Sequence, residues 1–494
     1  MTEKPLSLLF AASECAPLVK TGGLADVVGA LPDALRKLGV SVSIILPFYK
    51  TLPKEVREKS EDVKISEVKM GWRRQYMGLK KFERPNCTYY FIDNETYFLR
   101  DNLYGYYDDA ERFIYFSLAV VEAVKILGGF DIIHCHDWQT ALVPTVLKKF
   151  YYNKKGLKDV KQVFTIHNLR FQGNLNLSDF VSFLGLSGTE PWLGEAVLGD
   201  QANLLKSALY SADAVTTVSP NYANEIKMPY YGEGLNTCIS DIGGKLSGIL
   251  NGIDTAAFDP ANDPQIFWSY NGLSGKHKNK ERFLYEYTLP NDGSMMIGMV
   301  TRLDPQKGLD LVLYAIDKIM QMPVHFVLLG TGNPEYERLF GYIERRYPDR
   351  ARCFITYSDD LAHKIYAASD VFLMPSNFEP CGLGQLIAMR YGALPIVRET
   401  GGLADTVTPY NRITGEGTGF SFANYNGDEL LATVKSAVEV YTYNKSHFNE
   451  MALRAMAKEF SWDASAKAYL DIYLSLVKDI HPAAAKASSQ DSGA

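Results

Sequence analysis

The order of apolar runs along the chain predicts an α/β protein made of two doubly wound parallel-sheet domains. Three observations lead there. Short runs rich in β-branched and aliphatic residues alternate with helical patterns nearly from end to end. Those runs are continuously apolar rather than alternating, as strands are when helices cover both faces of a parallel sheet. The alternation is played through twice, in a chain of 494 residues, which is more than one hydrophobic core usually organises.

In the first half the predicted strands are residues 6–12, 41–47, 89–92, 131–134, 162–166 and 214–218; in the second half they are 296–301, 324–329, 353–356, 371–374 and 394–397. The strand signals pause at GILNGID, residues 248–254, where Asn, Gly, Pro and Asp take over. A first domain over 1–250 and a second over 251–463 follow from that break. Residues 464–480 repeat apolar side chains at helical spacing and predict a C-terminal helix, taken to span 464–482. The Ala- and Ser-rich stretch 483–494 has no periodicity and is expected to be a disordered tail.

Composition narrows the function. Apolar residues make up 47% and charged residues 22%, with a formal charge of −6. That balance argues against a nucleic-acid partner, whose phosphates call for a basic face. No apolar segment approaches the ~20 residues of a membrane span, and the N-terminal run reads as a buried strand rather than a signal peptide. The six cysteines form no CxxC pair, which fits free thiols in a reducing compartment. The expected location is the cytoplasm, without a membrane partner; the oligomeric state is not legible.

One internal repeat stands out. Residues 21–28 read TGGLADVV and residues 400–407 read TGGLADTV, and each copy follows an apolar strand and opens a helical pattern. Thr-Gly-Gly also serves as an ordinary helix cap. Capping alone would not specify Leu-Ala-Asp as well. Two glycines let backbone N–H groups come close to phosphate oxygens at a helix N-terminus. One such turn per domain would hold a diphosphate between the two, in the crevice beyond the carboxyl ends of the strands.

The wider sequence resembles the bacterial glycogen synthases and plant starch synthases. The resemblance rests on KTGGL at 20–24, HCHDW at 134–138, TIHNL with a following QG at 165–173, and NGID at 251–254. It continues through RL..QKG at 302–308, EPCGL at 379–383 and the second TGGLAD, seven blocks in family order. It implies the GT-B architecture: two Rossmann-like domains facing across a cleft, with the C-terminal helix returning to the first. It further implies retaining transfer of glucose from a nucleotide sugar, ADP-glucose in this subgroup, to the non-reducing end of an α-1,4-glucan such as glycogen.

Departure of a nucleoside diphosphate leaves negative charge that a catalyst must meet with fixed cations. No Asp-x-Asp metal motif occurs in the sequence, so neither metal nor other cofactor is expected. Arg302 and Lys307, five apart after a strand, can supply the charge instead, Arg by a fork and Lys as a point. Lys20 precedes the first Gly22-Gly23 turn and can reach the same diphosphate or the acceptor. His134 and His136 share a strand face, but a zinc site is not expected there. Asp137 is placed at the strand end beside the sugar pocket. His167 and Asn168 end another strand, and the resemblance has His167 contacting the transferred glucose. Glu379, in SNFEPCGLG, can hydrogen-bond sugar hydroxyls and steady a positive centre, by front-face attack or through a covalent intermediate. A second glutamate eight residues on, present in related enzymes, is replaced here by Ile387. Tyr357 can stack on an adenine. With Asn251, Cys381, Gly382, Leu383, Thr400, Gly401 and Gly402 from the family blocks, these complete the candidate donor site; Glu379, His167, Arg302 and Lys307 are the candidate catalytic residues.

The alternatives are a UDP-glucose-dependent synthase, a glycan phosphorylase or nucleotide-sugar epimerase on the same fold, and an inactive glucan-binding protein. A nicotinamide enzyme is disfavoured because AASECAPLVKTGG follows the first strand where GxGxxG is required.

Overall fold

A computed structural model describes residues 5–85 and 87–478. The chain divides into two compact units. One comprises residues 1–218, 223–251 and 462–494, and the other residues 219–222 and 252–461. Each has its own sheet.

The strands of the first unit are β1 (Ser7–Ala11), β2 (Ser41–Pro47), β3 (Glu61–Met70), β4 (Arg73–Arg84), β5 (Cys87–Asp93), β6 (Ile132–His136) and β7 (Lys161–Ile166). After them come β8 (Asn174–Asn176), β9 (Val197–Leu198), β10 (Gln201–Asn203), β11 (Ala214–Thr217) and β12 (Leu246–Gly248). Nine form one sheet in the order β12-β11-β7-β6-β1-β2-β5-β4-β3, and β8-β10-β9 make a small second one. From β12 to β5 every pairing is parallel. The strand order reverses between β1 and β6, the position at which doubly wound sheets leave a crevice for ligands.

Strands β3 and β4 went unread in the sequence. They pair antiparallel with each other, and β4 with β5. At the edge of the sheet they need only one buried face: Val68, Met70, Met77 and Leu79 point inward while Lys64, Glu67 and Arg74 do not. A search for continuous apolar runs passes over that alternation.

The second unit holds β13 (Met295–Val300), β14 (Val324–Leu329), β15 (Ala351–Phe354), β16 (Val371–Met374), β17 (Leu394–Arg398) and β18 (Phe420–Phe422). Their order is β15-β14-β13-β16-β17-β18, parallel throughout, with the reversal between β13 and β16. The strand expected at 353–356 begins two residues earlier. Ala351 and Cys353 face the core and Phe354 is the last residue in register with β14, whereas Thr356 and Tyr357 lie beyond the pairing. The C-terminal helix is Trp462–Leu476. It belongs to the first unit, packs on the helix Gly23–Lys37, and buries Trp462, Ala466, Tyr469 and Tyr473. Residues 479–482 of the expected helix and the tail 483–494 lie outside the described residues. No helix among the described residues is long and apolar enough to cross a membrane.

Candidate functional site

In the second unit the loops leaving β13 and β16 lie side by side because those strands are neighbours. Asp304 caps a single turn, Pro305–Lys307, its carboxylate accepting from the Gln306 N–H at 2.9 Å. Gly308 closes the turn at φ 69°. A side chain there would meet the Pro375 carbonyl oxygen at 2.0 Å, so only glycine lets the two loops touch. Gln306 then stitches them, its Nε2 donating to the Phe378 carbonyl (3.1 Å) and its carbonyl accepting from Asn377 N–H (2.8 Å). Lys307 Nζ reaches Glu379 Oε2 at 2.6 Å, and Ser376 Oγ donates to the same oxygen at 3.0 Å. Both members of the ion pair are largely buried, with side chains 17% and 8% exposed. Arg302, in the same loop, is exposed.

The second TGG turn packs beneath this carboxylate. Gly401, at φ 44°, would drive a Cβ to 2.0 Å from the Glu379 carbonyl oxygen, and Gly402 to 2.2 Å from that of Cys381. The Gly402 N–H donates to the carbonyls of Glu379 (3.1 Å) and Pro380 (3.2 Å). These glycines therefore hold the Glu379–Cys381 loop from below. The helix they open, Gly401–Thr406, is only six residues long. Thr400 and Cys381 are buried, and Gly382 takes φ 72° ahead of the helix Gly384–Arg390, which Leu383 caps.

The first TGG turn is built otherwise. Nothing lies within 4 Å of where a side chain on Gly22 or Gly23 would be. Its Thr21 and Gly22 N–H groups and the Thr21 hydroxyl all donate to the buried carboxylate of Glu14, the last two at 3.2 and 2.7 Å. Tyr104 Oη adds a fourth bond at 2.7 Å. An internal anion thus occupies part of the turn that the sequence assigned to a phosphate. Lys20, 46% exposed, bridges to Asp26 at 2.7 Å.

Across the β1–β6 reversal, Asp137 follows β6 at φ 57°, a conformation rare outside glycine. Its Oδ1 accepts from the His167 N–H at 2.7 Å and from that of Asn168 at 3.4 Å, tying the ends of β6 and β7 together. Burial raises its carboxyl to about 7, against the lowering effect of those two bonds, and the Glu14 charge pushes the same way as burial. His167 is buried, and burial lowers its imidazole to about 3, so it is neutral at physiological pH. Its Nε2 lies 3.0 Å from His136 Nδ1. Asn168 Oδ1 accepts from Arg170 N–H at 3.1 Å and shapes the turn that follows.

Asn251 is buried at the end of the first unit, its Oδ1 without a partner among the described residues. Tyr357 is 81% exposed, in the loop between β15 and the helix Asp359–Ala368. His134 and His136 share one face, as their spacing requires, and stack at 4.2 Å. Among the described residues no group of three His, Cys, Asp or Glu is arranged to hold a metal ion.

The geometry therefore gathers Lys307, Glu379, Cys381, Gly382 and Thr400–Gly402 in one unit, and Asp137, His167 and Asn168 in the other. It adds residues that the sequence reading did not assign. Ser376 bonds Glu379, Glu14 fills the first turn, and His136 bonds His167. Arg398 is buried and clamps the loop through the Ser376 and Asn377 carbonyls. Only Glu14 carried a signal, as a carboxylate interrupting an apolar run.

The family model for the starch synthase catalytic domain matches residues 7–241, and that for glycosyl transferases group 1 matches residues 284–450. A glycogen synthase of Bacillus cereus is 46% identical over 478 residues, covering 96% of this chain and all of that one. A glycogen synthase of Bacillus licheniformis is 45% identical, covering 96% and 99%. Among solved structures, the catalytic domain of starch synthase IV from Arabidopsis thaliana, bound to ADP and acarbose, superposes with a TM-score of 0.88 at 35% identity, covering 96% of this chain and all of that one. A sucrose-phosphate synthase from Thermosynechococcus elongatus, at 17% identity and a TM-score of 0.61, shares the fold. The architecture is GT-B.

Proposed function

The chain belongs to the glycogen and starch synthase family and is a hexosyltransferase; we propose that it transfers glucose from ADP-glucose to the non-reducing end of an α-1,4-glucan, retaining configuration and releasing ADP. The observation that carries this reading is the Lys307–Glu379 pair at 2.6 Å, with Arg302 in the same loop. A buried carboxylate and its paired ammonium stand at the carboxyl ends of the central strands, with an exposed guanidinium on the same loop.

Arg302 and Lys307 meet the charge that grows on the departing diphosphate. An ammonium has three N–H donors. Lys307 spends one on Glu379 and keeps two for phosphate oxygens. Glu379, held by Lys307 and Ser376, steadies the positive charge developing at the sugar. His167, a neutral imidazole, hydrogen-bonds the transferred glucose. Lys20 adds a cation, and the exposed ring of Tyr357 offers a stacking face for adenine. The ADP held by the Arabidopsis starch synthase supports the adenine nucleotide. With fixed cations in these roles, the reaction needs no divalent metal. The work is done in the cytoplasm, in keeping with cysteines that stand as free thiols.

Competition between labelled ADP-glucose and UDP-glucose for incorporation into glycogen, with and without excess chelator, tests this. The expected outcome is preference for ADP-glucose and activity indifferent to chelator. Preference for UDP-glucose would overturn the donor assignment. Loss of activity in chelator, restored by magnesium or manganese, would overturn the role given to Arg302 and Lys307.

A further inference from the structure

The bond between His136 and His167 fixes more than the position of a ring. His136 is wholly buried on β6, with Phe10 at 5.1 Å between ring centroids and His134 stacked on its face. His134 is itself clamped: Nδ1 lies 2.8 Å from Tyr473 Oη on the C-terminal helix, and Nε2 lies 2.6 Å from Thr165 Oγ1. The ring of His136 therefore has no room to turn. Its Nδ1 faces His167 Nε2 at 3.0 Å, while its own Nε2 is buried without a partner among the described residues.

Burial keeps His134, His136 and His167 far below the usual imidazole range, so each ring carries one proton and the pair has two arrangements. If His167 Nε2–H donates, the proton of His136 must sit on its Nε2, a buried N–H with nothing to receive it. If His136 Nδ1–H donates, the orphaned atom is only a bare lone pair. Either orphan costs on the order of 1–3 kcal/mol, but among backbone groups an orphaned N–H is the rarer defect than an under-satisfied acceptor, and the same preference favours the second arrangement.

We propose that His136 is a positioning residue that sets the tautomer of His167, donating from Nδ1 to His167 Nε2 so that His167 carries its proton on Nδ1. The nitrogen left for a ligand is then a hydrogen-bond donor, suited to a sugar oxygen or to negative charge. This rests on the reading of His167 as a glucose contact. At metal sites, partners that orient a ligating imidazole are worth about tenfold to a hundredfold, and an effect toward the lower end of that scale is expected here.

The chain has eight histidines, few enough for nitrogen-15 histidine labelling of the full-length protein to report each ring. The His167 and His136 signals are assigned from the spectra of His167→Gln and His136→Asn. At neutral pH, His167 is expected to show a protonated Nδ1 and a bare Nε2, and His136 the same. In His136→Leu the His167 tautomers should mix. Its kcat should fall about tenfold or more, with donor KM changed less than twofold. His136→Asn, which keeps an amide N–H near the place of Nδ1, should recover most of the loss. A proton on Nε2 of His167 in the wild type overturns the proposal, as does an unchanged kcat in His136→Leu. Should His136→Leu fail to fold, the wild-type spectrum and the Asn variant decide. The spectrum is read without any turnover, so absence of glucosyl transfer by the wild type would count against the proposed function and leave this test standing.

Discussion

Replacing Asp137 by Asn removes a charge that the fold holds at a cost. The carboxyl rises from an ordinary 3.8 to about 7 because burial outweighs the two N–H bonds it accepts. Between those values the folded protein keeps a proton that the unfolded chain has released. The stability tied to this group is therefore complete below about pH 4 and is lost as pH rises to about 7. The slope is 1.36 kcal/mol per pH unit, about 4 kcal/mol in all. Asparagine keeps the accepting oxygen for His167 N–H and matches aspartate in size at this strained backbone position (φ 57°, ψ −179°), yet it does not titrate. The buried histidines are common to both proteins and cancel in the difference. Equilibrium urea unfolding of wild type and Asp137→Asn at about pH 5 and about pH 8 should show the gap moving by about 3 kcal/mol in favour of the variant at the higher pH. A gap that stays constant would mean that Asp137 is ionised throughout, and one that moves the other way would mean that its charge is needed for folding.

Other substitutions separate contact from charge. Lys307→Ala strands a buried carboxylate, so stability should fall by about 3 kcal/mol and kcat by about a hundredfold, read by unfolding and by steady-state kinetics. Arg302→Ala, an exposed site, should show a comparable kcat loss with the melting temperature unchanged; a melting shift would point to a structural role. The two TGG turns should differ sharply. Gly401→Ala forces a clash with the Glu379 carbonyl at positive φ and should cost on the order of 1–3 kcal/mol, whereas Gly23→Ala should fold as the wild type does.

Both sheets were legible because their central strands are buried on two faces, and nothing but a continuous apolar run satisfies that environment. The β3–β4 hairpin was not, because an edge position asks only for alternation. Within the site, residue types and loop positions were readable from Arg302, Lys307, Glu379, Asp137 and His167. Their pairing was not. Lys307 and Glu379 stand 72 residues apart and meet only because β13 and β16 are neighbours at the strand-order reversal. The repeat was readable as a turn, but not the two different surroundings of its copies. Whether a glycine is there for a ligand or for a neighbouring carbonyl depends on what the fold brings against it: open space at Gly22 and Gly23, the Glu379 loop at Gly401 and Gly402. Glu14 shows in the sequence only as a carboxylate interrupting an apolar run, and the partner of His136 lies 31 residues away on the next strand, so no local pattern marks that pairing.

Transfer itself can be followed atom by atom. Glycogen is incubated with the enzyme and ADP-glucose labelled in the sugar, and the polymer is then digested by an exo-acting hydrolase that releases maltose from non-reducing ends through α-1,4 bonds alone. The label should enter the polymer, leave it again almost wholly as maltose, and be absent from glycogen treated with Glu379→Gln enzyme. Label that stays in the digested core, appears only as free glucose, or enters equally well with Glu379→Gln would contradict α-1,4 transfer to the non-reducing end at this site.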